Sequence, residues 1–507
     1  MHNNLLVHPI FTLRIEDEKH QMSLPQVLEA LGTGRDLEFA SLRRHQHHAW
    51  FSFLVQLGAI VCHRLERDRP DLSATEWATS LRELASSDEA WCLVVDDLSK
   101  PAFMQPPVPE GTLSVLKNQI PTPDALDVLI ITRNHDLKRM TMRMAAAEHW
   151  AFSLISLQTM QGFLGSGNYG TSRMNGGFSS RPSVASAKQD DWCVRFQHEV
   201  PAILEHRKTL TTEDWPYLDS NGATLLWTLP WDGTIGLSLA ELDPLYIEIC
   251  RRVRLHGDRV GARAGTTKCA RVEAKERFGD TGDFWTPLDI GKRKSLTVPA
   301  TGFTYKLVSD IVFGTDWISA PAQKSGQDGP RLLVARVLVR GQGETSGYHE
   351  RIIPIPGKSR RFFSNLEGEA LLGARSREMI EVAGLARLKV LKPAVLVVAQ
   401  GAPDKLKFDD KRFDKRLAEF DRRIDELFFP KLFRDIETDD DEARRAWHRI
   451  LWHEVQELFL EIANSIPTPE ARSYKARAQG DRTLHGSARK HLSEAFYQEA
   501  NHATEQV

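Results

Sequence analysis

The hydrophobic period of this chain changes near residue 366, and that break limits the folds open to it. Before it, short runs rich in Val, Leu and Ile are cut at close intervals by Pro and Gly. From Glu367 onward, helical spacing takes over in Gly368–Leu391, Asp409–Phe429, Glu442–Ile466 and Leu484–Ala500, with a shorter basic helix at Glu470–Ala478. Pro393, Pro403, Pro430 and Pro467–Pro469 are read as the links between these helices. In Glu442–Ile466, Trp447, Ile450, Leu451, Val455, Leu458, Phe459 and Ile462 make a wide apolar stripe, behind a helix start that Asp439–Asp441 favours electrostatically. With 507 residues the chain exceeds one typical core. The expectation is an α+β protein: a large mixed domain with an irregular β-rich part over 1–365, then a C-terminal four-helix bundle over 366–507.

Within the first region, Leu5–Arg14 reads as a strand and Ser23 as the cap of a short helix. Phe39–Arg67 reads as a long helix with Trp50, Phe51, Leu54, Leu57 and Val61 on one face. Ser73 stands three residues before Glu76, the spacing of a capping box. Pro101–Pro107 is a stiff link. Leu126–Thr132 reads as β, followed by the polar loop Arg133–Arg139 and an apolar helix, Met140–Met160. Further β-type runs are expected at Thr224–Leu229, Leu296–Val298 and Thr304–Val312.

Two segments are too glycine-rich to be ordinary core. Gly162–Gly177 contains six glycines directly after the apolar helix. Leu332–Val339 and Tyr348–Ile353 read as two strands joined by Arg340-Gly-Gln-Gly-Glu-Thr-Ser-Gly347, a long hairpin tip that presents Gln342 between Gly341 and Gly343. Such a projection suits reaching into a partner. Ordering two loops of this kind costs backbone entropy unless something binds them closely.

The bulk properties narrow the partners. Hydrophobic residues make up 41% and charged residues 26%, no apolar run approaches a membrane span, and Met1-His-Asn-Asn-Leu-Leu lacks the order of a signal peptide. Five cysteines without a CxxC pair predict neither a disulfide framework nor a zinc knuckle. These readings place the chain in the cytoplasm, without membrane contact. A net charge of −2 restricts any nucleic-acid contact to local basic patches.

Motifs with catalytic flavour fail on spacing. His453-Glu454-Val-Gln-Glu457 has Glu where HExxH needs its second His, and reads as polar positions on a helix. Arg43-Arg-His-Gln-His-His48 has no Cys or carboxylate nearby to complete a metal shell and reads as a solvated helix start. Gly261–Lys268 misses the phosphate-loop spacing. No GxSxG elbow or compact carboxylate cluster is present, so no catalytic residue, metal or cofactor is predicted.

The order of features resembles the CasA family, the large subunit of the type I-E CRISPR complex Cascade. The resemblance rests on Asn4-Leu-Leu-Val7, Phe103-Met-Gln105, the glycine run after a long helix, Tyr246-Ile-Glu-Ile-Cys250, Lys275-Glu-Arg-Phe278, the Gln-bearing hairpin ending Glu350-Arg351, and the C-terminal bundle. It spans nearly the whole chain.

What the resemblance implies is a non-catalytic subunit that recognises a protospacer-adjacent motif (PAM) in double-stranded DNA from the minor groove. Such a subunit promotes opening of the duplex and recruits a nuclease-helicase. Its partners would be the other Cascade subunits, the guide RNA and the target DNA. Carried over by position, the family's glutamine wedge falls on Gln342, flanked by Gly341 and Gly343. The glycine loop falls on Gly165–Gly170, with Gly165 and Gly167 as close contacts. The lysine finger falls on Lys275 or Arg277; both stay open, because Arg277 stands where a lysine is expected. Asn134, Lys138 and Arg139 lie in a loop that resembles the contact to the guide RNA and neighbouring subunits. In the bundle, Arg472, Lys475, Arg477, Arg489 and Lys490 would form a basic face for the displaced strand. Some relatives carry paired cysteines for zinc; only Cys250 and Cys269 lie near here, so zinc is not expected. The rival readings are a metal-dependent nucleic-acid-processing enzyme with a dispersed site and a purely structural scaffold.

Overall fold

The computed structural model describes residues 3–127, 142, 144–257, 260–324, 329–341, 344–401, 403–467 and 470–496. They fall into two compact units. The first comprises Met1–Phe303, Asp316–Gly326 and Pro330–Pro354; the second comprises Thr304–Thr315, Gln327–Gly329 and Ile355–Val507.

The first unit is built around the helix His47–Arg64. No charged residue occurs between Ala49 and Cys62, and every side chain in that stretch is buried. A helix apolar on all sides has to be covered on all sides. Trp50 packs against Phe11 and Phe152 (ring centroids 5.1 Å from each) and stacks on Phe53 at 5.6 Å. Phe103 and Trp227 extend the cluster. The one-faced helix expected over Phe39–Arg67 is thus corrected twice: it starts only at His47, after a short 3-10 turn at Arg44–Gln46, and it buries its whole circumference.

Ala147–Met160 is a second buried helix and delivers the chain into the glycine run. Three of the five small sheets among the described residues bear on the site. Glu18–Met22, Phe11–Ile15 and Glu38–Phe39 form one. Leu332–Gly341 lies between Glu344–Pro354 and Ser183–Ala187 in the second, which explains its unbroken burial from Leu333 to Arg340. Gly261–Gly265 lies between Asn118–Ile120 and Arg252–His256 in the third. All pairings in these three are antiparallel.

The second unit is helical. Leu366–Leu385 runs through a π-type stretch, Ala386–Leu391, into Lys392–Gln400. It is joined by Asp414–Arg434, Asp440–Ser465 and Glu470–His491. Pro393 therefore does not link two helices; it lies inside this helical run, two residues after the π-type stretch. Pro430 lies inside Asp414–Arg434, held there by the buried Phe428, Phe429, Leu432 and Phe433 around it. The two helices expected at 470–478 and 484–500 are one continuous helix to His491.

Thr304–Val312, expected as β, is the helix Tyr305–Phe313. Its Val and Ile content misleads. Thr304 caps it through the Leu307 N–H at 3.3 Å, and Tyr305, Val308 and Ile311 bury at helical spacing. Asp124–Asp127 is a helical turn where β was expected, and the rest of that run lies outside the described residues. Strand structure at Leu5–Arg14 is confined to Phe11–Ile15, that at Thr224–Leu229 to Ala223–Leu225, and Leu296–Val298 has none. The capping box at Ser73 and Glu76 forms as expected.

Two substitutions test this ordering of contributions. Phe152→Ala, which empties the centre of the aromatic cluster, is expected to lower stability by about 3–5 kcal/mol. Ser73→Ala, which removes an exposed cap, should cost about 1 kcal/mol. Urea denaturation followed by tryptophan fluorescence reads both; comparable losses would contradict the core assignment.

Candidate nucleic-acid interface

The glycine run folds as a loop fastened at both ends. Its tip is a tight turn, with Leu164 N–H donating to Asn168 O and Asn168 N–H to Gly165 O, both at 2.9 Å. Gly165 and Gly167 have φ of +110° and +82°. A Cβ at Gly167 would lie 2.8 Å from Thr266 Cβ, whereas one at Gly165 would meet nothing within 4 Å. Ser166 is exposed between them.

The fastenings come from Tyr246–Arg251. Glu248, fully enclosed, accepts the Ser172 N–H at 2.8 Å and its hydroxyl at 2.7 Å. Burial pushes this carboxyl above its ordinary range, against the pull of Arg173 and Ser172. Arg173 lies 4.0 Å over the Tyr246 ring and donates to Tyr246 O at 2.9 Å. Arg251 donates to the carbonyls of Tyr169 and Gly162. The Gln161 carboxamide oxygen accepts from both terminal nitrogens of Arg340, at 3.0 and 3.2 Å.

Arg340 ties this loop to the long hairpin. It is 3% exposed, and burial lowers its pKa to about 10, so the guanidinium stays charged at neutral pH. A register shift between Val339 and Arg340, opposite Gly347 (φ +144°), ends the regular ladder there. Gly341 pairs with Glu344, and Gln342 and Gly343 lie outside the described residues. The hairpin end that carries Gln342 is therefore anchored, through Arg340 and Gln161, to the start of the glycine loop.

A third piece arrives from an unexpected position. Thr267 N–H donates to Gly167 O at 3.0 Å, and Lys268 N–H to Gly233 O at 2.7 Å. Lys268 is exposed, next to the loop tip. Lys275 and Arg277 instead form a 3-10 turn toward the far end of the glycine run. Lys275 is exposed there and Arg277 lies 5.2 Å over the Trp215 ring. Sequence reading passed over Lys268 because it was weighed only as part of a phosphate loop. Gly261–Gly265 is in fact a strand, and its direction carries Lys268 to the tip. Glu248, Arg251 and Arg340 were also missed, although the first two lie in or beside Tyr246–Cys250.

Asn134, Lys138 and Arg139 lie outside the described residues. The five bundle residues are all exposed on Glu470–His491. At about 100° per residue, Arg472, Lys475, Arg489 and Lys490 share one side with Arg482, whereas Arg477 is about 200° round the helix from Lys475.

The expectation of a solvated start at Arg43–His48 is corrected. His45 Nε2 lies 2.9 Å from the buried Asp127, and burial pushes the enclosed His48 down to about 3. Among the described residues no group of three or more His, Cys, Asp or Glu could hold a metal ion, and all five cysteines are free. No helix among them is long and apolar enough to cross a membrane.

The described elements make a mixed α/β unit and a helical unit, and solved structures share that fold. A Cse1 from Thermobifida fusca matches with a TM-score of 0.65 at 13% identity, over 97% of this chain and 99% of that one. The CRISPR-associated protein Cse1 from Acidimicrobium ferrooxidans matches at 0.61 and 14%, and CasA (Cse1) from Thermus thermophilus at 0.60 and 13%, with the same coverage of both chains. No family model and no curated protein matches the sequence. The chain has the CasA (Cse1) fold.

Two expectations follow from this geometry. Gly167→Ala should part the loop tip from Thr266–Lys268, seen as faster amide exchange at Thr267, while Gly165→Ala, strained in φ but unobstructed, should leave Thr267 protected. The second concerns acid. Burial raises the Glu350 carboxyl, but hydrogen bonds from Arg336 and Arg44, with that of Tyr348, outweigh it and hold it at about 2. A depressed carboxyl stabilises the fold above its ordinary pKa and loses that contribution as it protonates. Protection of the hairpin amides, corrected for intrinsic exchange, should therefore fall between about pH 4.5 and pH 2. Glu350→Gln should abolish that dependence.

Proposed function

We propose that this chain is the large subunit of a type I-E Cascade complex. In this reading it is non-catalytic and cytoplasmic, and it assembles with the other Cascade subunits and the guide RNA. It recognises the PAM in double-stranded DNA from the minor-groove side, promotes duplex opening and R-loop formation, and recruits the nuclease-helicase. The observation that carries the reading is the convergence, on the CasA fold, of the glycine-loop tip, an exposed lysine and the anchored end of a hairpin.

The physics of the task matches those parts. The minor groove offers a degenerate acceptor pattern, which one cation and a glycine-lined backbone read coarsely. Lys268 is the best-placed cation, ahead of Lys275 and Arg277, because the residue before it, Thr267, donates its N–H to Gly167 O. Gln342 is the wedge: a side chain inserted beside the motif unstacks a step at a cost of about a few kcal/mol, offset by guide pairing. Asn134, Lys138 and Arg139 contact the guide or a neighbouring subunit, and Arg472, Lys475, Arg489 and Lys490 face the displaced strand.

The test uses the guide-loaded complex. Gln342→Ala should weaken binding of intact target duplex by about tenfold or more, since each 1.4 kcal/mol is a factor of ten, and leave a pre-opened bubble nearly unchanged. Lys268→Ala should narrow the preference for motif-bearing over motif-less duplex, with Lys275→Ala a weaker effect. Equal losses on duplex and bubble would remove the wedge. Cleavage by the isolated chain on metal addition would favour an enzyme instead.

A further inference from the structure

The strand pair Leu332–Gly341 and Glu344–Pro354 has two unlike faces. On one, Arg336 stands opposite Glu350 and Leu338 opposite Tyr348. That face carries the ion pairs of Glu350 with Arg336 and Arg44, and the His48 ring lies 6.3 Å from that of Tyr348. His47 and His48, which both sense Arg336, belong to the same side, with His45 near them. On the other face His349 stands opposite Val337, with Gly347 and Arg351 two places away along its own strand.

The His349 ring is fitted between two glycines. A Cβ on Gly302, whose φ is +73°, would lie 2.2 Å from Nδ1. A Cβ on Gly347 would lie 3.9 Å from Nε2, and Gly347 is where the ladder loses register. The ring donates to the Ala300 carbonyl, while Nε2 is enclosed and has no hydrogen-bond partner among the described residues. A neutral imidazole has one N–H, and Ala300 takes it, so Nε2 is the bare nitrogen. Burial lowers the pKa of the ring, the bond to Ala300 opposes that only in part, and no charged side chain acts on it. Arg351, its charged neighbour on this face, donates to the Phe303 carbonyl at 2.8 Å. Ala335, Val337 and Val339 across the ladder, and Pro299–Phe303 beside it, carry no charge.

A proton added at Nε2 would press a cationic N–H against the bulge with no acceptor there. That cost is relieved when the strand lifts and water reaches the ring. We propose that His349 is a proton-sensitive latch: neutral, it seats Glu344–Pro354 against Pro299–Gly302, and protonated, it frees the strand end that leads to Gln342. Its consequence for duplex opening rests on the reading of Gln342 above, whereas the latch itself does not. A histidine held below its ordinary pKa contributes stability above about pH 6.5 that is lost as pH falls toward the folded value. Glu350 acts only below about pH 4.5, so the two windows separate.

The test follows amide exchange in the full-length chain between about pH 7.5 and 5.5, corrected for intrinsic rates. Protection at Val337–Arg340 and Thr345–His349 should fall by about threefold to tenfold, since one pKa unit is a factor of ten. In His349→Asn, which leaves His45, His47 and His48 in place, it should stay level. The ring Cε1–H resonance that this variant lacks should titrate below about pH 6.5 in the parent. Level protection in the parent overturns the latch whether or not the variant folds. A fall that persists in His349→Asn, or a resonance that titrates at or above about pH 6.5, does the same. In the guide-loaded complex at about pH 5.5, the parent should lose about threefold in binding intact duplex relative to a pre-opened bubble, and His349→Asn should not. Exchange that responds to pH while duplex binding does not would support the latch and count against Gln342 as the wedge.

Discussion

Irregular backbone can be buried only if its carbonyls find donors, and in this protein buried arginines supply many of them. Arg251 serves Tyr169 and Gly162, Arg173 serves Tyr246, and Arg271 serves Leu226, Leu229 and Pro230. Five donors in a rigid planar fork let one side chain hold several carbonyls that no sheet or helix would satisfy. The charge is compensated in some cases, as where Arg181 and Arg173 approach Asp283, and poorly in others, as at Arg254. Loops that would otherwise be solvated and mobile are thereby fixed at defined places.

That device explains how a glycine-rich segment can present a shaped tip. Glycine makes the turn possible, but it also raises the entropy lost on ordering. Here the loss is opposed at both ends of the run by buried polar contacts: Arg251 and Arg340 around Gln161 and Gly162, and Glu248 on Ser172. The exposed Ser166 and the half-buried Gly165 then stand on a rigid base, and Lys268 joins them through a single backbone bond from Thr267.

Much of the architecture could be read from the residues. The helical region after residue 366, the cap at Ser73 and the hairpin of Leu332–Pro354 follow from period, capping chemistry and glycine placement. Errors came where local composition and tertiary context disagree. Val- and Ile-rich Tyr305–Phe313 forms a helix because Thr304 caps it and its apolar residues repeat every third position. Pro430 stays helical because the rings around it bury together. Within the candidate interface, the glycine run is conspicuous in the sequence, while Lys268 is not, since nothing local distinguishes it from any other surface lysine.

The residues alone were enough to mark the change from mixed to helical structure, the paired strands Leu332–Gly341 and Glu344–Pro354, and the glycine run, because these depend on patterns a few residues long. Which cation stands beside that loop, and that Arg340 binds Gln161 from far along the chain, could not be read there. Such contacts depend on where strands end in space, and strand ends are placed by the packing of the buried helix and sheets around them rather than by any short-range preference.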